Sequence, residues 1–116
     1  MKKSTVLMSD YYQKQKEFGY LQSFNLYRNL NEVGCSEYDL NITLSDYPFY
    51  EGDHKLLITF SGVRNLRIGD FEGLFKLIIN ISNISKDQME GINYKVKEEE
   101  YELFSFYCDK FNFEIL

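Results

Sequence analysis

HKLLITFSGVRNLRIGDF, residues 54–71, is the stretch whose reading decides the fold. Leu56, Ile58 and Phe60 alternate with Leu57 and Thr59. A period of two belongs to a strand with one face buried. Ser61-Gly62 reads as a turn closing that strand. Val63 to Ile68 then reads as the next, with Leu66 and Ile68 facing inward and Gly69-Asp70 ending it.

The same period extends to both sides. Upstream, Leu40, Ile42 and Leu44 alternate with Asn41 and Thr43 until Asp46-Tyr47-Pro48 breaks the run, because proline lacks the ladder donor. EGDH at 51–54 reads as a turn. Downstream, inward sets recur at Leu77, Ile79 and Ile81, at Ile92, Tyr94 and Val96, and at Phe104, Phe106 and Cys108. Ser85 and Gln88 have capping-box spacing, which predicts one helical turn at 85–90. After Asp109-Lys110 the phase slips by one residue, to Phe111, Phe113 and Ile115. A bulge would absorb that slip. A hairpin is the rival, but Lys is poor where φ must be positive.

The N-terminal third is less regular. Residues 1–10 are a candidate disordered start, and 10–34 read as partly helical. Ser9 or Asp10 is the candidate cap, and Gly19 the candidate end of a first segment. Leu21, Phe24, Tyr27 and Leu30 then lie three apart, a helical stripe with Gly34 as C-terminal cap. An extended reading of 22–28 competes with it. Residues 38–116 read as antiparallel β. The expected fold is one α+β domain, mostly β: an antiparallel meander forming a curved sheet, sandwich or open barrel, with an N-terminal helical segment.

Composition agrees. The 116 residues suit one domain, and a 44% hydrophobic share can form a core. Ten Tyr and ten Phe with no Ala lean toward strands. No apolar run approaches the roughly 20 residues of a membrane span. The opening MKKSTVLMSDYY holds too short an apolar run for a signal peptide, so a cytoplasmic location is expected, with Cys35 and Cys108 reduced and Cys108 buried in a strand.

No catalytic or metal pattern emerges. His54 beside Asp53 could be half of an acid–base pair, but reads more simply as a solvated turn. One His and two distant Cys make a poor zinc site, and the glycines match no phosphate-binding loop. No cofactor is expected. Glu98, Glu99 and Glu100 lack the spacing of a calcium loop and read as a solvated connection, or as a second acidic patch.

Charge distribution says more. The net charge is −5, yet residues 29–54 hold six acids and no base. Within that block stand Glu37, Tyr38, Asp39, Asp46, Tyr47, Tyr50, Glu51 and Asp53. Carboxylates around tyrosines suit recognition of a basic protein: the rings supply contact area and the charges steer association. The plainer reading is that these acids only solubilise loops. Overall acidity excludes nucleic acid as the expected partner, since phosphates demand clustered Lys and Arg. A rival without a heterologous partner is a structural or self-assembling β module pairing through its sheet edges. A monomer or weak homodimer is expected.

Three stretches carry a family resemblance: FGYLQSF at 18–24, HKLLITFSGVRNLRIGDF at 54–71 and FSFYCDKFNFEI at 104–115. Phe18, Gly19, Tyr20, Ser23 and Phe24 resemble the aromatic opening of the immunity protein 50 family of bacterial polymorphic toxin systems. Phe60, Gly62, Val63, Leu66, Ile68 and Phe71 are similar to its middle strand, and Phe106, Cys108, Phe111 and Phe113 approximate its close. Leu21-Gln22 departs from the family's Trp-Pro, and Asn25-Leu26 from its His-Asp pair. The resemblance implies a non-catalytic antitoxin that binds a cognate toxin. Such toxins are often nucleases with basic surfaces, which an acidic protein would occupy in place of phosphate.

Overall fold

A computed structural model describes residues 2–30, 36–71, 76–87 and 90–116. Helix α1 (Lys2–Glu17) precedes seven strands: β1 (Tyr20–Leu30), β2 (Ser36–Ser45), β3 (Leu56–Ile68), β4 (Ile79–Asn83), β5 (Tyr94–Glu98), β6 (Phe104–Cys108) and β7 (Lys110–Ile115). A single 3-10 turn, Ser85–Asp87, stands at the start of the stretch expected to form one helical turn at 85–90; Gln88 of that box lies outside the described residues. The strands form one antiparallel sheet in the order β1-β2-β3-β6-β5-β4, with β7 also pairing β3. Two three-strand meanders therefore join through β3. Among the described residues their outer edges meet at a bridge between Tyr20 and Lys76 and at the Leu77 N–H, which donates to the Gly19 carbonyl at 2.7 Å, and the sheet curls without closing into a barrel.

β3 is the spine, and here the expected turn at Ser61-Gly62 is corrected. The strand runs unbroken from Leu56 to Ile68. Leu40 faces Phe60 and Tyr38 faces Val63, so one residue of β2 opposes two of β3. Gly62, at φ 69°, sits in this bulge. The extra residue keeps Phe60 and Val63 both buried although they lie three apart. On its other side β3 pairs with β7 through Leu56–Ser61 and with β6 through Arg64–Ile68. β6 and β7 thus lie in line, not as a hairpin. The phase slip after Cys108 falls at Asp109, directly across from the Gly62 bulge, whose Ser61 carbonyl accepts the Asp109 N–H at 2.9 Å.

A second bulge corrects the N-terminal reading. Residues 20–30 are strand, not helix. Leu21 pairs with Leu44 and Phe24 with Ile42, and the register shifts between Leu21 and Ser23. The bulge keeps two residues three apart on the core side, and a three-residue spacing is also the mark of a helical stripe. Gly34 and Cys35 lie outside the described residues. The backbone expected to be disordered at 2–10 is helical, so Ser9 and Asp10 are interior to α1 and cap nothing. The helix is set by the face Met8, Tyr11, Gln15, which with Phe18 packs on the sheet.

Leu40, Ile42, Leu44, Leu56, Ile58, Ile79, Ile81, Val96 and Phe106 are fully or almost fully buried, each side chain contributing roughly 1.5–3 kcal/mol. Phe60 and Phe106 meet edge to face with centroids 4.9 Å apart. α1 covers the outer edge of β4 with polar atoms. Tyr11 Oη donates to the Ile79 carbonyl at 2.8 Å and Gln15 Nε2 to that of Leu77 at 2.9 Å. Gln15 Oε1 accepts the Ile79 N–H, and Tyr12 Oη meets both the N–H and the carbonyl of Ile81. These side chains stand where another strand would otherwise pair.

Candidate functional site

The acids that are neighbours in the chain part company in the fold. Glu37 and Tyr38 open β2, whereas Asp46 to Asp53 follow its far end. A strand rises about 3.3 Å per residue, which puts these groups about 25–30 Å apart. The block is two patches.

The larger patch is the β2–β3 loop, residues 46–55. Tyr47 and Tyr50 are 60% and 66% exposed, more than any other large apolar or aromatic side chain among the described residues. Glu51 and Asp53 are exposed beside them. The loop shapes itself: Asp46 Oδ1 accepts the Tyr47 N–H at 2.8 Å and Asp53 Oδ2 the Tyr50 N–H at 2.9 Å, while the Tyr50 carbonyl accepts the Asp53 N–H. The Tyr47 ring leans on Tyr20, with centroids 5.6 Å apart. Lys55, at the end of the loop, holds its ammonium 5.2 Å from the Phe49 ring centroid. His54 Nδ1 lies 3.1 Å from the Leu116 carbonyl, a clasp of the C-terminus to the loop.

At the other end, Tyr38 is exposed and stacked under Arg28, whose Nη2 donates to the phenol oxygen at 2.7 Å. Glu37 is exposed. Asp39 is not: it is only 7% exposed, and its Oδ1 accepts the N–H of Gly62, which holds the bulge. As a partner contact Asp39 is therefore corrected to a structural carboxylate.

Glu98 is corrected in the same way and more strongly. It is 0% exposed. Oε2 accepts the N–H groups of Ile78 and Glu100, at 3.1 and 2.9 Å. Oε1 accepts those of Tyr101 and Leu103, at 2.8 and 3.3 Å. One carboxylate thus satisfies four backbone donors and folds the β5–β6 connection around itself. Glu99 is exposed and holds the Asn80 amide at 2.8 Å. Glu100 is exposed and lines a groove of about 550 Å³ with Tyr12, Lys16, Lys76, Ile78 and Tyr101. The second acidic patch is two residues, not three.

Cys108 is a buried free thiol, pushed up to about 12 by burial and then by Asp109. Burial likewise raises the Tyr11 hydroxyl well above its ordinary range, with Tyr12 adding to it. Among the described residues no group of three or more His, Cys, Asp or Glu could hold a metal ion, and no helix is long and apolar enough to cross a membrane.

No curated protein and no solved structure matches the chain. A family model does, and it agrees with the resemblance to immunity proteins carried by the three aromatic stretches. It is described as Immunity protein PIM8 and matches residues 5–114, so the chain belongs to that immunity protein family.

Proposed function

We propose that the protein is a non-catalytic antitoxin that neutralises a cognate toxin by covering it, and that the 46–55 loop makes the contact. The observation that carries this is the loop itself: Tyr47 and Tyr50, the two most exposed rings among the described residues, stand among Asp46, Glu51 and Asp53 on a backbone already fixed by its own hydrogen bonds. Fixed aromatic anchors lose little entropy on binding, and the carboxylates steer a cationic surface toward them. The partner that fits is a basic toxin domain, such as a nuclease whose anionic substrate the loop would displace. Glu37 and Tyr38 join only a partner that spans β2, and Glu99 and Glu100 form a separate rim.

The test is association kinetics with the toxin encoded beside this chain. Changing Asp46, Glu51 and Asp53 to Lys should slow association by on the order of tenfold at low salt and flatten its salt dependence. Tyr47→Ala and Tyr50→Ala should instead speed dissociation. Unchanged rates in all of these variants would remove the loop from the interface. The long outer edge of β1, paired among the described residues only at Tyr20, favours a second reading, self-assembly through sheet edges. A stable oligomer in light scattering, with no toxin bound, would favour it.

A further inference from the structure

Far from the acidic loop, the outer face of β3, β6 and β5 is cationic. Arg64 stands opposite Tyr107, which stands opposite Lys95. Arg67 stands opposite Ser105, which stands opposite Lys97. Directly paired residues share a face. Val96, Phe106 and Cys108 fill the inner face, so this set looks outward, with both lysines and both arginines exposed. Arg64 and Arg67 lie three apart and in a regular strand would point to opposite sides. They share one side because Asn65, at φ 55°, sits in a third bulge.

The four cations mark the corners of a rectangle about 10 Å across the strands and about 7 Å along them. Between them lies a concavity of about 580 Å³ lined by Arg67, Lys95, Lys97, Ser105 and Tyr107, with no carboxylate in its lining. Two of the cations are pre-placed: Arg64 Nη1 reaches the Glu90 carbonyl at 3.4 Å, and Lys95 Nζ lies 5.9 Å from the Tyr107 ring centroid.

We propose that this face is a second binding surface, for an acidic segment of a partner protein held in extended conformation. Alternate residues of an extended chain repeat at about 6.6–6.8 Å on one side, which matches the step from Lys95 to Lys97 and across the bulge from Arg64 to Arg67. Corners about 10 Å apart are too distant for one small anion to touch all four. A long polyanion meets the opposite difficulty: the patch is short and the whole chain carries a charge of −5. The hydroxyls of Ser105 and Tyr107, between the corners, can donate to the segment's carboxylates. The face lies about 30 Å along β3 from the 46–55 loop, so each surface can fail without the other.

The test uses the full chain and a labelled short peptide alternating Glu and Ser, followed by fluorescence anisotropy at low and moderate salt. Binding that weakens with salt is expected. Lys95→Glu with Lys97→Glu should weaken it on the order of tenfold or more, Lys95→Gln with Lys97→Gln several-fold, and the Asp46, Glu51 and Asp53 to Lys variant should not weaken it. Four results would overturn the proposal: no peptide binding at low salt, equal binding by the Lys95→Glu/Lys97→Glu variant, equal or tighter binding of oligothymidylate of the same length, and displacement of the peptide by inorganic phosphate at constant ionic strength.

Discussion

Replacing Glu98 by Gln changes one oxygen to an amide nitrogen and leaves the side-chain shape. Whichever way the amide turns, two of the four backbone N–H groups now face a donor. Each buried donor left unsatisfied costs about 1–3 kcal/mol, and the two bonds that survive lose their charge assistance. The expected loss is about 3–6 kcal/mol, a large part of the roughly 5–15 kcal/mol that holds a domain of this size together. Unfolding in urea, followed by far-ultraviolet circular dichroism because the chain has no Trp, measures it. Glu99→Gln is the internal control. It is the next residue, its side chain is exposed and accepts from the Asn80 amide, and its backbone bond to the Ile78 carbonyl survives the change, so its effect should stay within about 0.5 kcal/mol. If Glu98→Gln were as mild as Glu99→Gln, the carboxylate would not be organising the β5–β6 connection, and its assignment as structural would fall.

Two further predictions follow from backbone and burial. Gly62→Ala forces a side chain onto φ 69° and brings its Cβ to 3.1 Å from the Asp109 Cβ, so a loss of about 1–3 kcal/mol in urea unfolding is expected; an unchanged midpoint would show that the bulge tolerates any residue. Both Cys108 and Tyr11 have raised pKa values in the folded state, so the stability each contributes is complete below its unfolded value and is lost as pH climbs toward its folded one. Urea midpoints should therefore hold to about pH 9 and fall between there and about pH 12, with Cys108→Ala delaying the onset toward pH 10. A midpoint constant to pH 11 in the parent chain would contradict that.

The strands that alternate cleanly were legible as sequence, because burial on one face imposes a period of two: Leu40 to Leu44, Leu56 to Phe60 and Phe104 to Cys108 are all inward as expected. The bulges were not legible. At Gln22 the extra residue imitates helical spacing, at Gly62 it imitates a turn, and at Asn65 it hides that two arginines share a face. Asp39 and Glu98 were misplaced for another reason: a carboxylate that binds backbone N–H groups looks, in sequence, like one that is solvated. Glu98 did carry a sign, since it continues the inward phase of Tyr94 and Val96. The cationic face left no run to notice, because Arg64 and Lys95 become neighbours only through β6.

The pairing of α1 with β4 bears on how the chain is made. Tyr11, Tyr12 and Gln15 precede their backbone acceptors by 62–69 residues. At about 5–20 residues per second a ribosome exposes the helix roughly 3–14 s before the strand it seals. A lone segment of this length is marginal in water, so it waits as a fluctuating coil. Until β4 emerges, Met8, Tyr11 and Gln15 have no strand edge to seal and stay open to other chains. Slow translation through residues 18–80, or an added sequence crowding the amino end, would lengthen that interval and raise the yield of aggregates.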